Sequence, residues 1–269
     1  MSDDDLDRLT LQGLGKRAAI EGPAPFVEAV DELLPKPAWA PSTRPAERVW
    51  RAERAGDRLL VSVDGEQRGV WEESEAARHV RSDIEIWAAA HADGCVVVHA
   101  CVVAHRGAAL VLPGPSMAGK TTMAVALIRA GAEYCSDEFA VLDDRGFVRP
   151  YPRRPAVRRR EPLGVAVDHV DPAELGSVCR AEVPVRLVAD LRYAPGGANL
   201  EIEDMTPART ALSLMANAVA ARTRPERVLV ASAAAATGAR GVVGRRGEAD
   251  EAAGTLLELM SSIRDRRAS

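Results

Sequence analysis

The residues Gly114-Pro-Ser-Met-Ala-Gly119-Lys120-Thr121 satisfy the spacing G-x-x-x-x-G-K-[ST], and each type has a chemical reason to be there. Glycines let the backbone curl until successive N–H groups point at phosphate oxygens. A following helix offers its positive end to the same anion. Lys120 supplies a compact charge near the β- and γ-phosphates, and Thr121 a hydroxyl for Mg²⁺. The chain carries three lysines, Lys16, Lys36 and Lys120, among 35 cations, so arginine is its default cation. A lysine inside this loop marks a place where a planar guanidinium would not fit. The competing reading is a glycine-rich strand-to-helix turn. Residues 114–122 (Gly114, Pro115, Ser116, Met117, Ala118, Gly119, Lys120, Thr121 and Thr122) are the candidate nucleotide-binding set.

The elements that must position this loop are legible on both sides. Gly94–Ala104 and Ala108–Pro113 are apolar runs joined by His105-Arg-Gly107, which reads as a hairpin whose second arm feeds the loop. Lys120–Ala130 reads as the helix after it. A short strand near Glu133–Ser136 then leads to the first adjacent carboxylates after the loop, Asp137 and Glu138. Strands are expected at Phe139–Leu142, Val183–Tyr193, Asn199–Glu203 and Gly241–Arg245. Helices are expected at Pro207–Ala221, Pro225–Ala236 and Ala249–Ile263. Strands mixed with helices over this length indicate an α/β core spanning 93–269.

This run resembles the HPr kinase/phosphorylase family, and more closely its short HPr kinase-related members, whose core is similar to ATP-dependent phosphoenolpyruvate carboxykinase. The resemblance rests on Val98-His99-Ala100, Arg106-Gly107, Ala109 through Thr122, Arg129-Ala130-Gly131 and Ser136-Asp137-Glu138. It implies a mixed-sheet P-loop kinase core and ATP- and Mg²⁺-dependent phosphoryl transfer to a hydroxyl group. It implies Asp137 as the base that takes the acceptor's proton, and His99 as a polar neighbour of the γ-phosphate or acceptor. Mg²⁺ would be held by Thr121, Glu138 and Asp137. Glu138 stands where that family commonly has aspartate, and its E-I-R-G-L-G signature is absent, Glu161-Pro-Leu-Gly164 being the nearest run.

Arg153, Arg154, Arg158, Arg159 and Arg160 form a basic stretch in what reads as a Pro-rich loop. Either Arg153 and Arg158 serve the charge of phosphoryl transfer or an acidic acceptor, or the run is a solvated face. The resemblance implies an acceptor that is either a serine-type hydroxyl of a peptide or protein, or that of a small metabolite. The rival class is a nucleotide-binding regulatory or assembly ATPase with no acceptor.

Residues 1–92 read as a small α+β subdomain. It is expected to contain a helix at Pro25–Leu34, a connector rich in proline, a three-strand meander over 48–71 turning at Asp64-Gly65, and a helix near 74–91. All four tryptophans (Trp39, Trp50, Trp71 and Trp87) fall here, as fillers of a thin core. A net charge of −4 argues against a general nucleic-acid binder. The longest apolar runs are too short to span a bilayer, and the acidic start is unlike a secretory signal. Four cysteines without C-x-x-C spacing read as buried thiols of a cytoplasmic protein.

Overall fold

The structure, a computed structural model, describes residues 6–161, 164–197 and 199–263, with the backbone alone over 158–161 and 164–167. The chain divides into two compact units, Met1–Asp93 and Gly94–Ser269. It is a mixed α/β protein with mixed sheets and, among the described residues, seven helices.

The first unit contains β1 (Asp7–Gly13), β2 (Lys16–Gly22), α1 (Ala24–Leu33), β3 (Trp39–Pro41), β4 (Arg48–Ala55), β5 (Arg58–Val63), β6 (Glu66–Trp71) and α2 (Glu73–His91). The strands form one sheet in the order β3-β1-β2-β4-β5-β6, parallel at β2–β4 and antiparallel elsewhere. The meander and its helix match the sequence expectation, but the β1–β2 hairpin and β3 do not appear in it. The reason is the turn. Two consecutive left-handed residues join β1 to β2, as they join β5 to β6, but here the first is Leu14 (φ 53°) where Asp64 (φ 49°) advertises the second. Leucine carries none of the local hydrogen bonding that makes aspartate a turn signal. Trp39 and Trp50 are fully buried, and Trp50 Nε1 donates to Asp83 at 2.7 Å.

The second unit contains β7 (Val96–His105), β8 (Ala108–Pro113), α3 (Lys120–Arg129), β9 (Glu133–Ser136), β10 (Phe139–Leu142), β11 (Phe147–Arg149), β12 (Ala156–Glu161), β13 (Gly164–His169), α4 (Pro172–Leu175), β14 (Val183–Tyr193), β15 (Leu200–Met205), α5 (Pro207–Ala216), α6 (Pro225–Gly238), β16 (Arg240–Arg246) and α7 (Ala249–Ser262). The main sheet runs β11-β10-β7-β8-β14-β16-β15, with β9 also on β7. Strands β8, β14 and β16 are mutually parallel.

Period-two alternation splits this sheet's side chains between two cores. Val98, Ala100, Val102, Ala109 and Val111 pack with Leu214, Val228 and Ala231 of the α5–α6 face and its flanks. Cys101, Val103, Leu110 and Leu112 pack with Met123, Leu127, Leu256 and Leu257 of α3 and α7. Each fully buried leucine contributes roughly 1.5–3 kcal/mol. The result is a helix–sheet–helix sandwich whose centre is β7–β8.

Two expectations need correcting. The basic stretch after Pro155 is not a loop: Arg158, Arg159 and Arg160 lie on β12, which pairs antiparallel with β13. Alternate residues of that run are β-branched or small on the partner strand (Val165, Val167), a hairpin signal masked by the arginines. The helix expected over Pro207–Ala221 stops at Ala216, because Ala218 bridges Val98 and Val219 N donates to Val97 O at 2.9 Å. Sheet pairing outcompetes the helical propensity of that alanine-rich run.

The β10–β11 turn is closed by Asp143, whose carboxylate accepts from Phe147 N (2.9 Å), Arg145 N (2.9 Å) and Arg145 Nε (2.6 Å). Burial works against its ionisation, but these donors outweigh it and hold the carboxyl below its ordinary value. A depressed value adds stability above the unfolded pKa of about 4 that is lost as the pH falls through the folded value. Asp143→Asn is therefore expected to lower stability at pH 7 by roughly 1–3 kcal/mol. In denaturant melts the wild-type advantage should shrink steadily below about pH 4. An advantage independent of pH would remove the carboxylate from this account.

Candidate functional site

Where β8 ends, Gly114–Gly119 turns the chain into α3, and the turn takes two left-handed residues, Met117 (φ 71°) and Gly119 (φ 81°). Met117 is largely exposed and not a glycine, so backbone strain is stored in the loop itself. Lys120, the first residue of α3, is buried. Its Nζ donates to Gly114 O (3.1 Å) and Pro115 O (2.9 Å), folding the side chain back along the loop.

Strand β7 places the carboxylates. Its 96–99 half pairs with β10 and its 102–104 half with β9, both on the same edge. The chain must step from one to the other, and the step is Asp137-Glu138, anchored by Ala100 N donating to Glu138 O at 3.0 Å. Ser136 Oγ accepts from Phe139 N at 3.0 Å and closes the corner.

Asp137 is almost fully buried, and both its carboxylate oxygens are held. Thr121 Oγ1 donates to Oδ2 at 2.7 Å, and Tyr134 Oη to Oδ1 at 2.9 Å. Tyr134 Oη also stands 3.0 Å from Arg153 O, and Arg153 Nε lies 4.0 Å from Asp137 Oδ1. Burial and the Asp137 charge push the Tyr134 hydroxyl well above its ordinary pKa, so it stays a donor. Glu138 is half-buried, with Oε1 3.1 Å from His99 Nδ1. Burial alone would raise its pKa; the His99 hydrogen bond and the charges of Lys120 and Arg153 outweigh that and hold it low. An ionised Glu138 keeps a proton on His99 Nδ1 and leaves Nε2 as the ring's other polar atom.

The loop end, Asp137 and Glu138 face one cavity of about 480 Å³. Its walls include Ser116, Gly119, Lys120, Thr121, Thr122, Asp137, Glu138 and Arg153, with Glu248 to Asp250 at the start of α7. Of the residues named from sequence, Ser116, Met117, Gly119, Lys120, Thr121, Thr122, Asp137, Glu138 and Arg153 line it, whereas His99 is not on its wall and adjoins it through Glu138. The Arg158 side chain lies outside the described residues. Larger cavities elsewhere lack this chemistry: the one of about 530 Å³ sits on the first unit's sheet among Arg8, Glu21 and Arg51. Among the described residues no three His, Cys, Asp or Glu side chains are grouped to hold a metal. Thr121, Asp137 and Glu138 nonetheless offer hard oxygen donors, the kind magnesium accepts alongside water and phosphate.

Two residues escaped the sequence reading. Tyr134 read as a buried strand aromatic; only its three-residue offset from Asp137 hinted that its hydroxyl could reach. Arg246 closes β16 and reaches Gly119, and nothing in the local sequence signals that. No protein-family model matches the chain, and no curated protein sequence matches it either. No described helix is long and apolar enough to cross a membrane. All four cysteines are buried free thiols.

The hydroxyl clamp on Asp137 is testable without any ligand. Thr121→Val and Tyr134→Phe should each cost about 1–2 kcal/mol in chemical unfolding. A double-mutant cycle of Thr121→Val with Asp137→Asn should show coupling of about 1 kcal/mol. Strict additivity would mean that the 2.7 Å contact contributes nothing.

Proposed function

We propose that the 94–269 unit is an ATP- and Mg²⁺-dependent kinase of the HPr kinase-like type that transfers a γ-phosphoryl group to an alcohol. The observation that carries this reading is the Thr121–Asp137 hydrogen bond. It ties a Walker-type loop directly to a buried carboxylate at the mouth of the same cavity. An ATPase without an acceptor would use the same carboxylate to hold Mg²⁺ beside the loop threonine, so transfer to an acceptor is what separates the two readings.

The chain's own residues divide the work as follows. The loop backbone and the α3 N-terminus hold the triphosphate, and Lys120 exchanges its two carbonyl partners for phosphate oxygens. A carboxylate has about four lone-pair positions, of which Asp137 spends two on Thr121 and Tyr134. The remaining ones accept the acceptor hydroxyl's proton as its oxygen attacks phosphorus. Arg153 stands beside Asp137 to balance charge, while His99 is oriented by Glu138 toward the transferring group or the acceptor. Thr121 and Glu138, with Asp137 adjoining, would hold Mg²⁺, which neutralises charge on the phosphate oxygens when bound. The hairpin β12–β13 borders the cavity through Ala156 and Val157, so it is the natural wall for the acceptor.

Two substitutions test this. Lys120→Ala should abolish turnover in a protein that melts like wild type; unchanged turnover would end the phosphate-loop reading. Asp137→Asn should retain ATP binding and lose roughly 10²–10⁴ in transfer rate, the scale of a general base. The assay follows γ-labelled ATP onto peptide and metabolite pools of a cognate lysate. Label on a peptide or a metabolite identifies the acceptor class. ATP hydrolysis without any labelled acceptor would favour the regulatory ATPase instead.

A further inference from the structure

Strands β8, β14 and β16 run parallel, so the phosphate loop, Tyr193 and Arg246 all emerge at one edge of the sheet. Tyr193 and Arg246 are direct register partners at the ends of β14 and β16. Arg246 is 4% exposed, yet its guanidinium has no carboxylate at ion-pair distance among the described residues. Its partners are Gly247 O, 3.0 Å from Nη1, and the Tyr193 ring, with its centroid 5.0 Å from Cζ. The nearest candidate anion, Glu248, instead accepts from Tyr193 Oη at 2.6 Å. The other face of the guanidinium meets the phosphate loop. Nη2 lies 2.6 Å from where a Cβ on residue 119 would stand, so a side chain there would displace the guanidinium as well as strain a φ of 81°.

A buried cation without an anion is costly, and proteins keep one where a ligand completes it. Burial also weakens this guanidinium's hold on its proton, and the Tyr193 and Glu248 charges nearby offset only part of that. From this placement we infer that Arg246 is a phosphate-binding residue: it supplies charge-assisted hydrogen bonds to the polyphosphate of a nucleoside triphosphate held by Gly114–Thr121. This rests on the phosphate-loop reading above and adds a second, sequence-remote cation to it. Its planar fork can grip two oxygens at once, complementing the point charge of Lys120 on the loop's far side. Tyr193 packs its ring against the guanidinium, and its hydroxyl engages the Glu248 carboxylate.

The test uses the full chain, with calorimetric binding of MgATP and of inorganic tripolyphosphate and a thermal melt of each ligand-free protein. Arg246→Met should weaken both ligands about 10- to 100-fold, the scale of charge-assisted hydrogen bonds to a buried site. Arg246→Lys should fall between. Because the unpaired charge is a burden on the empty protein, ligand-free Arg246→Met should melt at or above the wild-type temperature. Four results overturn the inference. Equal binding of both ligands by Arg246→Met denies any contact. Loss of MgATP with tripolyphosphate retained makes the contact one to base or ribose. A steep fall in the ligand-free melting temperature makes the arginine a structural brace. Failure of wild type to bind either ligand overturns this inference together with the phosphate-loop reading, whereas the first three leave that reading standing.

Discussion

Strand β7 is the constraint on which the candidate site depends. It pairs with β8 on one edge and with both β9 and β10 on the other, and its side chains from Val96 to Ala104, His99 apart, are buried. A strand so enclosed cannot slip, since a one-residue shift would exchange the residues facing its two helical layers. That fixed register carries the Gly114–Gly119 loop, at the end of β8, toward the Asp137-Glu138 step between β9 and β10. Gly114 N donates to His99 O at 3.1 Å, so loop and histidine are tied through the backbone as well. The 2.7 Å contact between Thr121 and Asp137 is a consequence of that pairing pattern.

The electrostatics follow the same geometry. Two adjacent carboxylates would repel in an enclosed cavity, and the fold separates their surroundings. Asp137 faces two hydroxyls, whereas Glu138 faces His99 with Lys120 and Arg153 near enough to lower its pKa. Neighbouring acids in different environments can take different tasks, one exchanging protons and the other holding charge. The parallel trio β8, β14 and β16 adds its strand ends to the same edge, where ligands of α/β sheets gather. In the first unit the buried carboxylate Glu21, beside the open sheet face, is spent on Arg8 and Arg51.

How legible this was depended on whether the signal was local. The hairpin feeding the loop was written in two apolar runs and Arg106-Gly107, both left-handed as such a turn requires. The β1–β2 hairpin was not, because Leu14 occupies the position where asparagine or aspartate would announce it. The basic run over 158–160 looked like loop because charge, not period-two alternation, dominated it. Helix α5 ended early because a distant strand, β7, claimed residues 218 and 219.

The sequence by itself determined the Gly114–Thr121 strand-to-helix turn, the elements flanking it and the residue types gathered in it, since glycine spacing, a rare lysine and apolar periodicity are properties of adjacent residues. Only the tertiary structure decided that Thr121 and Tyr134 hold Asp137 between them, that Glu138 orients His99, and that Arg246 reaches Gly119 from across the sheet. Gly119 and Arg246 lie 127 positions apart along the chain. Their meeting is set by strand order and parallel register, which arise from long-range pairing and side-chain burial. No local pattern of residues encodes that.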